Sequence, residues 1–289
     1  MKRLIRCLLV MSVVVASCTS PITVDSDAGQ LTLDDRPNRI VSLSATHTEI
    51  LYAIDAADLI VATDLTSNYP AEAEATPKVD AFNFNVEEIA AVAPDLVITA
   101  FDFQGEVAAL QAVGIPVLLL VPASNLDDAY QQIEILGDVT DRGTEAADLI
   151  SSMRTRIDGL IGSTPRESLT VFPEVDNTLF SANSSTFLGD IYRRLGLSNI
   201  ADAVPDEFAS GYVQLSEEFL FSEDPDLIFL GDAGFGENIE TIRIRPGWDT
   251  LTAVQQDAVF ELDGDIAGRW GPRTVDLVED IVAAIEAAS

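Results

Sequence analysis

The sequence predicts an α/β protein of two lobes, each a mostly parallel sheet flanked by helices, joined by a single long rigid helix. Three observations lead there. Short β-branched runs alternate with amphipathic stretches from residue 39 to 121, and the rhythm restarts from 168 to 287, as in a parallel sheet with crossover helices. Between these stretches Ile150, Met153, Ile157 and Leu160 recur at helical spacing with no strand run nearby, which marks an amphipathic helix. The chain also repeats a phrase. Glu87 stands seven residues before Pro94-Asp-Leu-Val-Ile98, and Glu218 stands seven before Pro225-Asp-Leu-Ile-Phe229. Each copy reads as a short helix, a proline stop and a buried strand. Two similar lobes explain the echo more simply than one doubly wound sheet.

In chain order, Lys2, Arg3 and Arg6 precede an apolar run over 7–16. A basic start followed by about 10 apolar residues reads as a secretory signal, too short to span a bilayer. From Thr19 to about Asp35 the chain is polar and unpatterned, the composition of a flexible tether. The N-terminal lobe (38–142) opens with the strand Arg39-Ile-Val-Ser-Leu-Ser44. A helix follows, capped by Thr46 or Thr48, with Ile50, Leu51 and Ile54 on one face. Strands over 58–63, 95–100 and 115–121 alternate with helices over 86–92 and 106–113. The connecting helix occupies 143–163. In the C-terminal lobe (164–289), strands over 168–173, 226–231 and 259–262 accompany helices over 186–195 and 274–287.

Composition excludes several functions. Among 289 residues, 48 acidic side chains face 16 basic ones, for a net charge of −32. A surface of that sign repels phosphate backbones, so nucleic acid is not the partner. The lone histidine, His47, excludes a metal site built on several imidazoles. Cys7 and Cys18 are the only cysteines, so no disulfide framework holds the body together. Neither a phosphate-binding loop nor a Gly-x-Ser-x-Gly elbow occurs, which argues against an ATPase or an α/β hydrolase. A secreted esterase using His47 as its base is the enzyme alternative, and a surface sensor or adhesin is a third class.

Val15-Ala16-Ser17-Cys18 resembles the lipobox of bacterial lipoproteins, with Val at the position where Leu is commoner. The resemblance implies cleavage before Cys18, a diacylglycerol on its sulfur, a signal over 1–17 and a lipidated tether over 18–37. Ordinary cleavage beside an incidental cysteine is the alternative.

The body resembles the periplasmic binding proteins that serve cobalamin and iron–siderophore ABC importers. The carriers are Arg39-Ile-Val-Ser-Leu-Ser44 followed by Thr48-Glu49, then Asn68-Tyr-Pro70, Asn85-Val-Glu87, Pro94-Asp-Leu-Val-Ile98, the stretch 110–116 and Gly247-Trp-Asp-Thr-Leu-Thr-Ala-Val254. The resemblance implies a monomeric, membrane-anchored extracytoplasmic protein without catalysis or cofactor. Its expected partners are a metal chelate, corrinoid or ferric siderophore, captured between the lobes, and a permease dimer that receives it.

By the same resemblance Glu87 and Glu218, one per lobe, dock on transporter arginines, an arrangement that sets register. Adjacent Glu88 and Glu217 leave a one-position ambiguity, and ordinary solvated helix charge is the alternative. Tyr69, Phe82, Phe84, Phe101, Phe103, Tyr212 and Trp270 fall in segments that follow or separate strands, where α/β sheets line their crevices. The resemblance points to Tyr69, Phe101 and Tyr212 as ligand-facing, with Phe82 and Phe84 as offset candidates; satellite core packing is the alternative. Asp265 and Arg269 match polar ligand contacts, while Arg273 is equally suited to a local acidic partner. His47 is a candidate axial ligand for haem iron with Tyr212 opposite, or a local hydrogen-bonding group. The resemblance supplies no histidine there.

Overall fold

In the computed structural model, residues 21–164 and 168–288 are described. The N-terminal lobe is built on five parallel strands in the spatial order Lys78–Val79, Ile60–Asp64, Ile40–Leu43, Leu96–Thr99 and Val117–Leu119. The central strands are unbroken aliphatic runs because helices cover both faces. Their side chains alternate: Val41, Leu43 and Val97 pack with Ile89 and Leu110 on one face, while Ile40, Leu96 and Ile98 pack with Ile50, Leu51 and Leu118 on the other. The Asp95 carboxylate accepts the backbone N–H groups of Asn38 and Arg39, each at 2.9 Å, and so fixes where the two central strands begin.

Helix Ala45–Ala53 is capped by Ser44, whose hydroxyl accepts the His47 N–H at 3.5 Å. Neither Thr46 nor Thr48 serves as the cap. Both are buried inside the helix, and the Thr48 hydroxyl bonds instead to Ser42 and Ser67.

The C-terminal lobe holds a six-stranded sheet. Thr170–Asp176, Leu227–Leu230 and Val259–Glu261 run parallel, with the short Ser198–Asn199 also on Thr170–Asp176. Phe180–Ala182 and Tyr212–Gln214 add an antiparallel edge.

Helix Gly143–Ser163, 21 residues long, joins the lobes and spans about 30 Å at 1.5 Å per residue. It does not act alone. The preceding segment forms the 15-residue helix Leu126–Thr140. Leu126, Ala129, Tyr130, Ile133, Leu136 and Val139 make its buried stripe, and Asn125 caps it by accepting the N–H groups of Asp127 and Asp128. The two helices approach so closely that a Cβ on Gly137 would lie 2.5 Å from the Ala146 Cβ. One continuous apolar cluster therefore runs from the N-terminal lobe through this helix into the C-terminal lobe.

The stretch expected to be a flexible tether is folded over much of its length. Ile22–Val24 pairs antiparallel with Leu31–Leu33, and Val24 and Leu33 are buried in the main cluster. The Asp27 N–H donates to the Leu119 carbonyl at 2.9 Å, and the Val121 N–H donates to the Asp27 carboxylate at 2.8 Å. Cys18 and the rest of the lipobox lie outside the described residues. Among the described residues no helix is long and apolar enough to cross a membrane.

Candidate functional site

The carboxyl ends of the parallel strands of both lobes open onto a shared cleft, as expected for open α/β sheets. It contains two cavities of about 230 and 290 Å³. The first is lined mainly by segments after the N-terminal strands, and the second mainly by Val175, Ala182, Gly231 and other residues of the C-terminal lobe, with Pro122, Ala123 and Ser124 from the N-terminal one. Gly264, Gly268 and Trp270 line both, so the segment after Val259–Glu261 forms the partition.

Phe82, Phe84, Phe101 and Phe103 line the first cavity. Phe101 and Phe103 stack at 4.8 Å with 15° between their planes. Phe82 is 63% exposed and Phe101 39%, so both rings offer apolar area that nothing in the protein covers. Phe84 is half-buried against the second apolar cluster. Tyr212 stands on the wall of the second cavity. Tyr69 lines neither cavity; the Arg273 guanidinium lies over its ring at 4.4 Å.

Trp270 is nearly buried, and its indole N–H donates to the Gln132 Oε1 at 2.7 Å. His47 is fully buried, lines neither cavity, and places Nε2 3.0 Å from the same oxygen. An indole can only donate, so Gln132 presents its carbonyl oxygen, and His47 must donate from Nε2. Its Nδ1 is left as an unprotonated nitrogen without a hydrogen-bond partner. Burial lowers the imidazole pKa to about 4. This geometry overturns both special roles considered for His47. It is neither a haem ligand across from Tyr212 nor a general base, because it does not reach the cleft.

The arginines are in place but already occupied. Arg269 lines the first cavity, yet its guanidinium donates to the Glu49 carboxylate at 2.7 Å, Asn68 Oδ1 at 2.8 Å, Asp265 at 2.8 Å and the Thr66 carbonyl at 3.1 Å. Arg273 binds the same Glu49 carboxylate at 2.6 and 3.1 Å. Asn68 Nδ2 closes the network on Asp265 at 2.6 Å. Glu49, Thr66 and Asn68 belong to the N-terminal lobe and the other three to the C-terminal lobe, so this is an interlobe latch. Sequence reasoning quoted Glu49 only as part of a motif and missed Gln132 altogether. Gln132 was visible as a polar residue interrupting an apolar helix stripe.

Glu87 and Glu218 occupy the second position of helices Val86–Ala91 and Glu217–Glu223. Both are exposed. Each follows a side-chain cap, Asn85 or Ser216, and precedes a buried Ile89 or Leu220 two residues on. The matching positions pair Glu87 with Glu218 rather than with Glu217. Each helix leads from the carboxyl end of one strand back to the start of the next, so its first turn lies at the cleft end of its lobe. Among the described residues no group of three acidic, cysteine or histidine side chains is placed to hold a metal.

Residues 40–266 match the family model described as periplasmic binding protein. An uncharacterized ABC transporter substrate-binding lipoprotein of Bacillus subtilis is 29% identical over 276 residues, covering 92% of this chain and 85% of that protein. The periplasmic vitamin B12-binding protein of Vibrio cholerae superposes with a TM-score of 0.73 at 26% identity, covering 88% of this chain and 98% of the other. A possible iron-binding periplasmic solute-binding protein of Staphylococcus epidermidis superposes with a TM-score of 0.75 at 27% identity, covering 87% and 99%.

Proposed function

The chain belongs to the periplasmic binding protein family, and from that premise we propose that it is the extracytoplasmic ligand-capturing component of an ABC importer. Its ligand is a metal chelate, a corrinoid or a ferric siderophore, held between the lobes and passed to a permease. The reading rests above all on the cleft, which presents uncovered aromatic rings, Phe82, Phe101 and Phe103 from one lobe and Tyr212 from the other. A flat corrin ring, or the apolar flank of a ferric chelate, buries area against such faces. The names of the B12-binding and iron-binding relatives support the same ligand classes. Capture needs no chemical step, and no residue is assigned one.

In this reading Glu87 and Glu218 are the permease contacts. They sit at equivalent exposed positions at the cleft end of their lobes, so arginines on a two-fold permease can engage both at once. Lipidation of Cys18 holds the protein at the membrane. The acidic body would otherwise be repelled by an anionic lipid surface.

The test is a tryptophan-fluorescence titration of soluble protein beginning at Thr19 with cyanocobalamin. Trp270 walls both cavities, whereas Trp248 is buried in the C-terminal lobe. Saturable quenching at micromolar concentration or below, lost in Trp270→Phe after correction for ligand absorption, supports the corrinoid. A flat titration with cyanocobalamin and saturation with a ferric siderophore assigns the second class. No saturation with either removes the proposal.

A further inference from the structure

The cleft has a charge pattern that the aromatic lining does not explain. Its ionisable wall residues are Asp64, Glu106 and Asp265 against Arg269. Arg269 is not available to a ligand anion, because four acceptors surround it and Glu49 is the buried one. Glu49 also holds Arg273, the other cation of this region. Lys78, near Asp64, directs its ammonium into the Thr63 hydroxyl and the Ser67 and Ala73 carbonyls, away from any ligand. The carboxylates are less completely engaged. Glu106 accepts only the neutral Gln104 N–H, at 2.8 Å, whereas Asp265 is paired with Arg269 although its side chain is 49% exposed. Asp64 takes the Thr66 and Ser67 hydroxyls, neutral donors that leave its charge in place.

We infer that Glu49 is a specificity-determining residue: together with Asp265 it neutralises Arg269 and Arg273 and makes the cleft an anion-excluding seat for uncharged or cationic chelates. The inference rests on the reading of the cleft as a ligand seat and narrows it. Among the described residues, anionic ferric catecholates meet the Asp64 and Glu106 carboxylates and a guanidinium already paired with Glu49 and Asp265, inside a protein of net charge −32. An uncharged chelate with peripheral amides finds acceptors for its N–H groups, and a cationic one finds favourable potential. Selectivity here comes from the repulsive element as much as from contact.

The experiment titrates the soluble protein with three probes of different charge: uncharged cyanocobalamin, singly cationic ferrioxamine B and triply anionic ferric enterobactin. Cyanocobalamin or ferrioxamine B is expected to saturate, with ferric enterobactin weaker by a factor on the order of ten or more. That deficit should shrink with added salt, since the screening length falls from about 10 Å at 0.1 M to about 3 Å at 1 M. In Glu49→Gln, which keeps the shape and frees one positive charge, the ratio of ferric enterobactin affinity to cyanocobalamin affinity should rise on the order of tenfold. If that variant does not fold, the salt series on the unaltered protein decides. Ferric enterobactin binding as tightly as the other probes, or a deficit insensitive to salt, overturns the assignment and leaves the ligand seat standing. Failure of all three to bind removes the seat itself and this assignment with it.

Discussion

Removing the Glu49 carboxylate should be among the most damaging single changes available in this protein. The group is 1% exposed and accepts three hydrogen bonds, at 2.6, 2.7 and 3.1 Å, from two guanidiniums that are themselves only 8% and 13% exposed. In Glu49→Ala, Arg269 retains Asp265, Asn68 and the Thr66 carbonyl, but Arg273 retains only the Asp265 carbonyl at 3.5 Å and the face of Tyr69. Breaking a buried ion pair from one side costs about 3–5 kcal/mol, because the remaining charge stays desolvated. Two cations share the loss here, while Asp265 softens it for one of them. The expected destabilisation is therefore about 4 kcal/mol, in the middle of that range.

Urea denaturation of the soluble protein measures it as a lower midpoint at unchanged slope. A triple variant, Glu49→Leu with Arg269→Met and Arg273→Leu, should recover much of the loss, since apolar replacement of a whole buried network is often neutral. A loss below about 1 kcal/mol in Glu49→Ala, the range of exposed pairs, would show that water reaches the latch and refute the argument from burial.

Other consequences are open to direct measurement. Phe101→Ala and Tyr212→Ala should each weaken ligand binding about tenfold, the scale of an aromatic contact at a binding site, with unfolding midpoints unchanged because both rings are partly exposed; calorimetric titration reads this. Glu87→Arg combined with Glu218→Arg should abolish ligand uptake by cells while leaving ligand affinity intact; normal uptake would dismiss the docking assignment. His47 should make stability fall in mild acid. Its folded pKa is lowered from 6.5 to about 4, so between those values the unfolded chain binds a proton that the native state refuses. Stability present above pH 6.5 is lost as pH falls toward 4, by up to about 3 kcal/mol. Glu174, pushed up to about 7 by burial against the pull of Arg245, tilts the opposite way in an overlapping window, losing stability as pH rises. The difference between the unaltered protein and His47→Leu isolates the histidine; equal pH profiles would mean that the imidazole is hydrated in the native state.

The two-lobe α/β architecture was legible because its signals are local. Ile40, Val41, Leu96, Val97 and Ile98 sit in strands buried on both faces, and such strands read as unbroken aliphatic runs. The echo around Glu87 and Glu218 survived because helix, stop and strand lie within a dozen residues. The hairpin at 22–33 was missed for the opposite reason. Its apolar residues are only two per strand, Ile22 with Val24 and Leu31 with Leu33, set among polar ones. Their burial depends on helix Leu126–Thr140, about a hundred residues away. The aromatic candidates separated by position. Phe82, Phe84, Phe101 and Tyr212 follow or begin strands at the cleft, whereas Tyr69, 47% exposed, lines neither cavity and has Arg273 over one face of its ring.

The arginines show where sequence reasoning stops. In a chain with so few cations, two within five positions mark a site, and Arg269 does stand on the cleft wall. What the residue types could not give is the partner. Glu49 is 220 positions from Arg269 in sequence, and one acidic residue among 48 carries no mark of being the buried one. Its burial also governs how the lobes move. They are joined through helices Leu126–Thr140 and Gly143–Ser163 and again through the latch. Separating them at the latch would expose Glu49 from two guanidiniums at once. Opening, unlike Glu49→Ala, lets water reach all three charges, so hydration offsets much of the lost pairing, and the latch sets the register of the lobes more than it imposes a high cost of parting them.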